Sequence, residues 1–297
     1  MLHHNLTAPK NSTRAVVLGS GGFVGGACMR SLKASGVEAV GLSRSDVDLL
    51  APEAPSVLRG RLLPEDTLVF ISARAPCKNA AMLVENARMA ETVCAAIKGF
   101  PLSHLVYVSS DAVYRDSDAP LSEESCAEPA SPHGAMHIAR EVLLRSEYQG
   151  PLGILRPTLI YGAADPHNGY GPNRFRRLAA DGQPISLFGK GEERRDHVSV
   201  NDVAGLLTSM VIRRSSGVLN AVSGAVVSFG ELAEFVAGQF SPRVSVNTTT
   251  RVGAMPHGGF RPFDASGIRR AFPDFRIMSW RDGVGAMCRD QAGLRKS

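Results

Sequence analysis

Two histidines four residues apart form the most chemically informative pair in the chain. His133 and His137 lie in the stretch SPHGAMHIARE, at residues 131–141. A spacing of four places both side chains on one face of a helix. Because an unperturbed imidazole has a pKa of about 6.5, each ring can give or take a proton at neutral pH. The pair is therefore a candidate catalytic acid–base site.

Two helical histidines at this spacing also occur in zinc sites. The zinc motif HExxH places a glutamate directly after the first histidine, and Gly134 takes that position here. No third ligand is obvious in the sequence, so we do not expect a metal.

A glycine-rich stretch follows the first apolar segment, RAVVLG. The letters GSGGFVG give the spacing GxxGxxG. Glycine permits a tight turn from strand to helix and close approach of a pyrophosphate, and the helix that follows directs free N–H groups at that phosphate. Such a turn alone is a weak signal, but its place after the first predicted strand strengthens it. We predict a dinucleotide site formed by Gly19, Ser20, Gly21, Gly22, Phe23, Val24 and Gly25.

The second predicted strand ends in Ser43, Arg44 and Ser45. A carboxylate at this point would bind the adenosine ribose and repel a 2′-phosphate, whereas a guanidinium pairs with phosphate. The three residues therefore favour NADP(H) over NAD(H). The alternative is that Arg44 is only an exposed loop charge.

Apolar runs alternate with helix-length segments between residues 14 and 110. The runs EAVGLS, TLVFISA and HLVYVSS are continuously apolar, which is typical of parallel strands with both faces covered by helices. We predict an α/β fold with a Rossmann-like, doubly wound parallel sheet. PLGILRPTLIYG predicts one further strand, and VNDVAGLLTSMVIRR predicts a helix capped by Asn201 or Asp202.

The later part of the chain is irregular, which suggests a smaller α/β substrate-binding domain. We predict a flexible leader at 1–13 and a dinucleotide-binding domain at 14–163 plus about 199–224. The second domain would comprise about 164–198 plus 225–297.

The composition excludes several functional classes. No run of eighteen apolar residues is present, so we expect no membrane span. The five cysteines are scattered and form no CxxC pair, which is typical of reduced thiols in a cytoplasmic protein. The net charge of +5 is dispersed and aromatic content is 6%, so we do not expect nucleic-acid binding.

Taken in order, these blocks resemble the extended short-chain dehydrogenase/reductase family, in the branch that acts on nucleotide-activated sugars. The likeness extends from about Arg14 to Gly285. It rests on GSGGFVG, VFISARA, Asn86 in the following helix, VYVSSDAVY, LRPTLIYG, GQPISLFGKGEERRDHVSVNDVA and RPFDAS.

The resemblance implies roles for matching positions. The cofactor would contact Asp48 and Leu49 beside the adenine, and Ser72, Ala73, Arg74, Asn86, Ser109 and Pro157 elsewhere. Ser110 matches the active-site hydroxyl that binds the reacting oxygen, with Asp111 and Ala112 as candidate substrate contacts. Arg174, Arg195 and Arg261 would bind the sugar nucleotide, whose diphosphate carries negative charge.

The chain departs from the family at the motif YxxxK. The family's tyrosine is a general acid and base, and its lysine binds the nicotinamide ribose; His133 and His137 occupy these positions here. The interpretation we favour is NADPH-dependent reduction of a keto group, the 4-keto group, on a nucleotide-linked deoxysugar, with His133 as the acid. An NAD-retaining epimerase is an alternative. Dehydration is disfavoured because Ala112 follows Asp111 where a second acid is expected.

A further alternative is a catalytically degenerate protein that binds a dinucleotide or sugar nucleotide for regulation or assembly. Catalysis by Tyr161 or Tyr170 is also open. The resemblance further implies a homodimer and an active site at the carboxyl ends of the strands, between the two domains.

Overall fold

The computed structural model describes residues 1–10 and 14–294. The strands are β1 His3–His4, β2 Ala15–Leu18, β3 Ala39–Leu42, β4 Thr67–Phe70, β5 His104–Val108, β6 Leu152–Pro157, β7 Leu159–Tyr161, β8 Ile185–Phe188, β9 Arg194–Ser199, β10 Ser215–Ala221, β11 Val226–Ser228, β12 Val246–Thr249 and β13 Phe260–Arg261. The α-helices are α1 Phe23–Ala34, α2 Ala54–Arg59, α3 Ala80–Ile97, α4 Pro132–Glu147, α5 Pro172–Ala180, α6 Val200–Ile212, α7 Phe229–Ala237, α8 Ser266–Ala271 and α9 Trp280–Leu294.

The main sheet has the strand order β1-β10-β6-β5-β4-β2-β3. All neighbouring strands in it are parallel except the short antiparallel β1. Successive residues of β2 alternate between two cores: Val17 packs with α1 and α6, whereas Val16 and Leu18 pack with α2 and α3. The predicted doubly wound parallel sheet with helices on both faces is confirmed.

A smaller second unit follows from the irregular later segments. Strands β7, β9, β11 and β13 form one small sheet, and β8 pairs with β12. Helices α5, α7 and α9 pack on these strands around a third core that includes Phe175, Phe229 and Val284. The late segment also contributes Ile268 and Phe272 to the core of the main sheet.

The expectation of a single strand over PLGILRPTLIYG was wrong. The main-sheet strand β6 ends at Pro157, and β7 pairs with β9 of the small sheet. Between them, Thr158 donates from its hydroxyl to Asp196 Oδ1 at 2.9 Å. The chain passes from one sheet to the other at this point, next to the cleft described below.

The cap expected for α6 was also wrong. Ser199 is the N-cap, and its Oγ accepts the Asn201 N–H at 3.1 Å. The Asp202 carboxylate instead accepts the Met278 N–H at 3.2 Å. In the segment predicted as a flexible leader, β1 pairs with β10 and residues 11–13 lie outside the described residues. Within the described ranges, no helix is long and apolar enough to cross a bilayer.

Candidate active site

A cleft of about 970 Å³ opens at the carboxyl ends of the parallel strands, between the main sheet and the second unit. Open parallel sheets bind ligands at this edge. The predicted site residues that line it are Gly19, Gly21, Gly22, Phe23, Val24, Gly25, Ser43, Arg44, Asp48, Leu49, Ser72, Ala73, Arg74, Ser109, Ser110, Asp111, Ala112, His133, His137, Pro157 and Arg195. The predicted residues outside its lining are Ser20, Ser45, Asn86, Arg174 and Arg261.

The glycine turn is built for close packing at the start of α1. Gly19 has a φ of 98°, and a Cβ there would lie 2.8 Å from the Ser72 nitrogen. A Cβ on Gly25 would lie 2.0 Å from the Gly19 oxygen. No side chain caps α1 and its first turn holds no acidic residue, so its free N–H groups are available to an anion. These features fit a dinucleotide pyrophosphate.

The end of the cleft near β3 contains the residues predicted to favour NADP(H) over NAD(H). Arg44 is exposed and forms an ion pair with Asp48, with an Nη2–Oδ2 distance of 3.0 Å. Ser43 donates from its nitrogen and hydroxyl to Asp46 at 2.8 and 2.6 Å. The Ser45 hydroxyl lies 2.7 Å from that of Ser43. Arg44 can exchange its exposed partner for a phosphate at little cost.

Asn86 is fully buried and supports the cleft from behind instead of lining it. Its Oδ1 accepts the Arg74 N–H at 3.0 Å, and its Nδ2 donates to the Arg74 carbonyl at 3.1 Å and the Met82 carbonyl at 2.8 Å. The side chain thereby fixes the loop after β4. Ser20 packs against Gly41 on β3, where a Cβ would meet it at 2.8 Å.

The acid–base pair meets the serine because α4 begins against the turn that follows β5. Ser131 caps α4 by accepting the Gly134 N–H at 3.2 Å. A Cβ on Gly134 would lie 2.0 Å from the Ala112 oxygen, so glycine permits this contact. Ser110 caps the short 3₁₀ turn by accepting the Ala112 N–H at 3.2 Å. His133, Ser110 and Asp111 consequently share one wall of the cleft.

His133 brings an imidazole to the cleft under two opposing electrostatic influences. Burial lowers its pKa, and the nearby Asp111 carboxylate acts in the opposite direction. The Cys77 N–H points at His133 Nδ1 at 3.4 Å, a long hydrogen bond. With Nδ1 as acceptor, the network assigns the proton of the neutral ring to Nε2.

His137 is neutral where the family's motif has a lysine. Burial, followed by the charges of His133 and Arg140, lowers its pKa well below the ordinary value. Its Nδ1 lies 2.7 Å from the Tyr107 hydroxyl. The rings of His133 and His137 meet edge to face with centroids 4.7 Å apart. The pair therefore contributes imidazoles to the cleft and no ammonium charge.

A buried network beneath the cleft was not foreseen from the sequence. The Ser109 hydroxyl donates to Glu141 Oε1 at 2.6 Å. Arg156 donates to both oxygens of Glu141, at 2.8 and 2.6 Å. Ser109 thus lines the cleft with its hydroxyl already engaged. The partners come from the residue after β5, from β6 and from α4, and they meet only in the fold, so no sequence spacing indicates them.

The three predicted substrate arginines have different environments. Arg195 lines the cleft and donates to Glu193 at 3.2 Å. Arg261 is buried, forms an ion pair with Asp116, and donates to the Asp111 carbonyl at 2.9 Å. It braces the active-site turn and does not face the cleft. Arg174 is exposed on α5, outside the cleft lining.

Tyr161 and Tyr170, the alternative catalytic tyrosines, also differ. Tyr161 lies in the core of the second unit, where a Cβ on Gly283 would meet its hydroxyl, and burial raises its pKa. It does not line the cleft. Tyr170 does line it, and its hydroxyl accepts the Phe188 N–H at 3.1 Å. His257 also reaches the cleft, from the short 3₁₀ turn Pro256–Gly259, which carries no sequence motif.

Residues 15–221 match the NAD dependent epimerase/dehydratase family, and the chain belongs to it. The resemblance to extended short-chain dehydrogenases/reductases is thereby confirmed. The family comprises enzymes that act on nucleotide sugars, among them epimerases, dehydratases and reductases.

Individual relatives span different chemistries. The chain is 31% identical to a dTDP-L-rhamnose 4-epimerase of Burkholderia thailandensis over 138 residues, which cover 43% of this chain and only 38% of that protein. It is 24% identical to a dTDP-4-dehydro-6-deoxy-D-allose reductase of Streptomyces bikiniensis, over 78% of this chain and 82% of the relative. In fold, it is similar to a GDP-L-fucose synthetase from Naegleria fowleri bound to NADP, with a TM-score of 0.82, 14% identity and coverage of 100% and 97%.

Proposed function

We propose that the protein reduces a keto group, the 4-keto group, of a nucleotide-activated deoxysugar with NADPH, and that His133 supplies the proton. One observation carries this proposal: His133, Ser110 and Asp111 face the same cleft as the glycine turn. The cleft can therefore hold a dinucleotide and a second ligand together.

Each residue has a defined part in the reaction. Ser110 would donate a hydrogen bond from its hydroxyl to the keto oxygen, in place of its 3.3 Å contact with Asp111. Bound NADPH would supply the hydride to the carbonyl carbon. His133, protonated on both nitrogens, would transfer its Nε2 proton to the oxygen, leaving a neutral ring with its proton on Nδ1 in place of the long Cys77 contact, and the product is an alcohol. Asp111 would stabilise the protonated ring, and Arg195 would hold the diphosphate.

The cofactor preference rests on the end of the cleft near β3. Ser43 and Arg44 are placed to receive a 2′-phosphate, since no carboxylate follows directly on the strand. A guanidinium is well suited to phosphate.

Replacing His133 with Phe tests the proposed acid. Removing a general acid typically costs roughly two to four powers of ten in rate, so we expect kcat to fall by that range. The measurement is loss of nicotinamide absorbance with dTDP-4-keto-6-deoxyglucose as probe. His3→Phe, on the exposed edge strand β1, is the matched control and should leave the rate unchanged. Equal turnover of the His133 variant and the parent would overturn the assignment.

An epimerase is the second candidate, and the lowered pKa of His133 favours it. A neutral imidazole is a base, and epimerisation begins by removing the proton from a hydroxyl oxygen and a hydride from the carbon that bears it. That reaction returns the hydride to the same sugar and consumes no cofactor. Conversion of a dTDP-hexose to its 4-epimer without added NADPH, by protein purified with NAD bound, would select this function over reduction.

A further inference from the structure

Arg140 is a buried arginine without a carboxylate partner in the part of the chain that the structure describes. It lies on α4, one turn after His137. Its Nη2 donates to the Ser72 carbonyl at 2.7 Å, and its guanidinium carbon lies 4.3 Å from the Phe70 ring centre and 5.2 Å from that of Tyr107. Burial of an unpaired charge is costly, so this placement requires an explanation.

The adjacent acid does not neutralise this charge. Glu141 uses both oxygens on Arg156, and it also accepts from Ser109. Arg145 lies 3.2 Å from the same carboxylate. The cation of Arg140 is therefore stabilised by aromatic faces and by the Ser72 carbonyl at the floor of the cleft.

Tyr107 connects Arg140 to His137. Burial raises the pKa of Tyr107 to about 12, and the positive charge of Arg140 acts against that rise. The Arg140 guanidinium lies against the face of the phenol ring, with its carbon 5.2 Å from the ring centre, and a cation there favours a hydroxyl that donates its hydrogen. The hydroxyl hydrogen is then left for His137 Nδ1, 2.7 Å away.

We propose that Arg140 is a positioning residue that acts through Tyr107 to hold His137 as a neutral imidazole with its proton on Nε2. His137 lines the cleft, and its Nε2 has no hydrogen-bond partner among the described residues while keeping some exposure. An N–H at this position suits an acceptor oxygen of the cofactor, such as a ribose hydroxyl. This inference rests on dinucleotide binding by the proposed function.

The surroundings of His137 support a neutral ring. The charged and titratable groups that face it are His133 and Arg140 on its own helix and Tyr107 on β5, and none is a carboxylate. Cys94 on α3 is a further titratable group whose charge would act on Arg140. Arg140 thus supplies positive charge near the position of the family's lysine, while His137 supplies the hydrogen-bond donor.

The tautomer can be observed directly in the native protein. Long-range 1H–15N spectra of histidine-labelled protein, assigned with His137→Gln, distinguish a bare ring nitrogen from an N–H. We expect a bare Nδ1 and a protonated Nε2 that do not change between about pH 6 and 8. A proton on Nδ1, or a cationic ring in this range, would overturn the proposal without any variant of Arg140.

Substitutions test whether Arg140 acts through Tyr107. We expect Arg140→Met to weaken NADPH binding roughly tenfold, and Tyr107→Phe to do the same, since each releases the His137 tautomer. Arg140→Lys loses the planar group that stacks on both rings, so it should weaken binding about as much as Arg140→Met. In the Tyr107→Phe background, Arg140→Met should add less than roughly twofold. An equal loss in both backgrounds would show that Arg140 does not act through Tyr107.

Exposed Arg88 on α3 provides the matched control, and Arg88→Met should bind NADPH like the parent. If Arg140→Met does not fold, the spectra of the native protein and of Tyr107→Phe decide the question. All these readouts use cofactor alone. Absence of keto-sugar turnover together with the expected tautomer would count against the proposed function and support this inference.

Discussion

The chemistry of the site at residue scale depends on replacing a phenol and an ammonium with two imidazoles. His133 is within the reach of a carboxylate, Asp111, but its burial dominates, so its pKa is lowered. Burial and cationic neighbours lower the pKa of His137, so its ring stays uncharged at neutral pH. A tyrosine acid needs a nearby cation to titrate near neutrality, whereas a histidine does not. The loss of both family residues is thus chemically consistent with retained proton transfer.

The pH dependence of the reaction follows from this shift. The proposed reduction would use protonated His133, whose pKa is lowered from 6.5, so the rate should fall as pH rises through that pKa. Oxidation of the alcohol uses the neutral ring and should rise over the same range to a plateau. Initial rates in both directions between about pH 5 and 9 check this. His133→Tyr should move the reduction limb to higher pH, and a profile shared with the parent would contradict the assignment.

At the scale of elements, the start of α4 decides whether the acid–base residues reach the serine. The helix packs against the active-site turn only because Gly134 has no side chain. Pro132 and the Ser131 cap set where the helix begins, which fixes the direction of His133. Asn86 and Arg261 act similarly on neighbouring segments, by bracing a loop and a turn from behind the cleft.

Gly134→Ala should therefore harm both stability and activity. The added Cβ would meet the Ala112 carbonyl and the Pro129 side chain, and overpacking costs roughly 1–3 kcal/mol. We expect Tm to fall by roughly 2–10 °C in thermal unfolding. Gly26→Ala on α1 is the matched control, because its nearest neighbours would be 3.6 Å away. It should keep or raise Tm, and equal behaviour of both variants would contradict the packing explanation.

For the whole molecule, function depends on two units that meet at one cleft. The main sheet supplies the glycine turn, Ser110 and the histidines, while the second unit supplies Arg195, Tyr170 and His257. The crossing at Thr158 and the contribution of Ile268 to the main core tie the two units together. A ligand that fills the cleft should consequently stabilise the entire chain.

Thermal unfolding with cofactor measures this coupling. NADPH at about one hundred times its Kd should stabilise the native state by roughly 2.7 kcal/mol, or raise Tm by roughly 5–10 °C. NADH at the same concentration should give a smaller shift, because it lacks the phosphate that Arg44 would bind. A larger shift with NADH would favour the NAD-dependent epimerase. If neither cofactor raises Tm, the result would support the alternative that this site no longer catalyses oxidation or reduction.

The sequence by itself determined the parallel sheet, the glycine turn at its edge and the pairing of His133 with His137. Each is encoded locally, by continuous apolar strands, by glycine spacing or by helical periodicity. Most predicted cofactor residues also line the cleft, because they follow strands whose carboxyl ends must meet.

Only the tertiary structure decided which side chains face the ligand. From the sequence, Arg261 and Asn86 were predicted to contact ligands. In the structure, both are buried and form hydrogen bonds to segments behind the cleft. The fold also split one apolar run between two sheets and brought Arg140, Tyr107 and His137 together from separate elements. Side-chain direction and burial depend on neighbours distant along the chain, and neither spacing nor residue type records those neighbours.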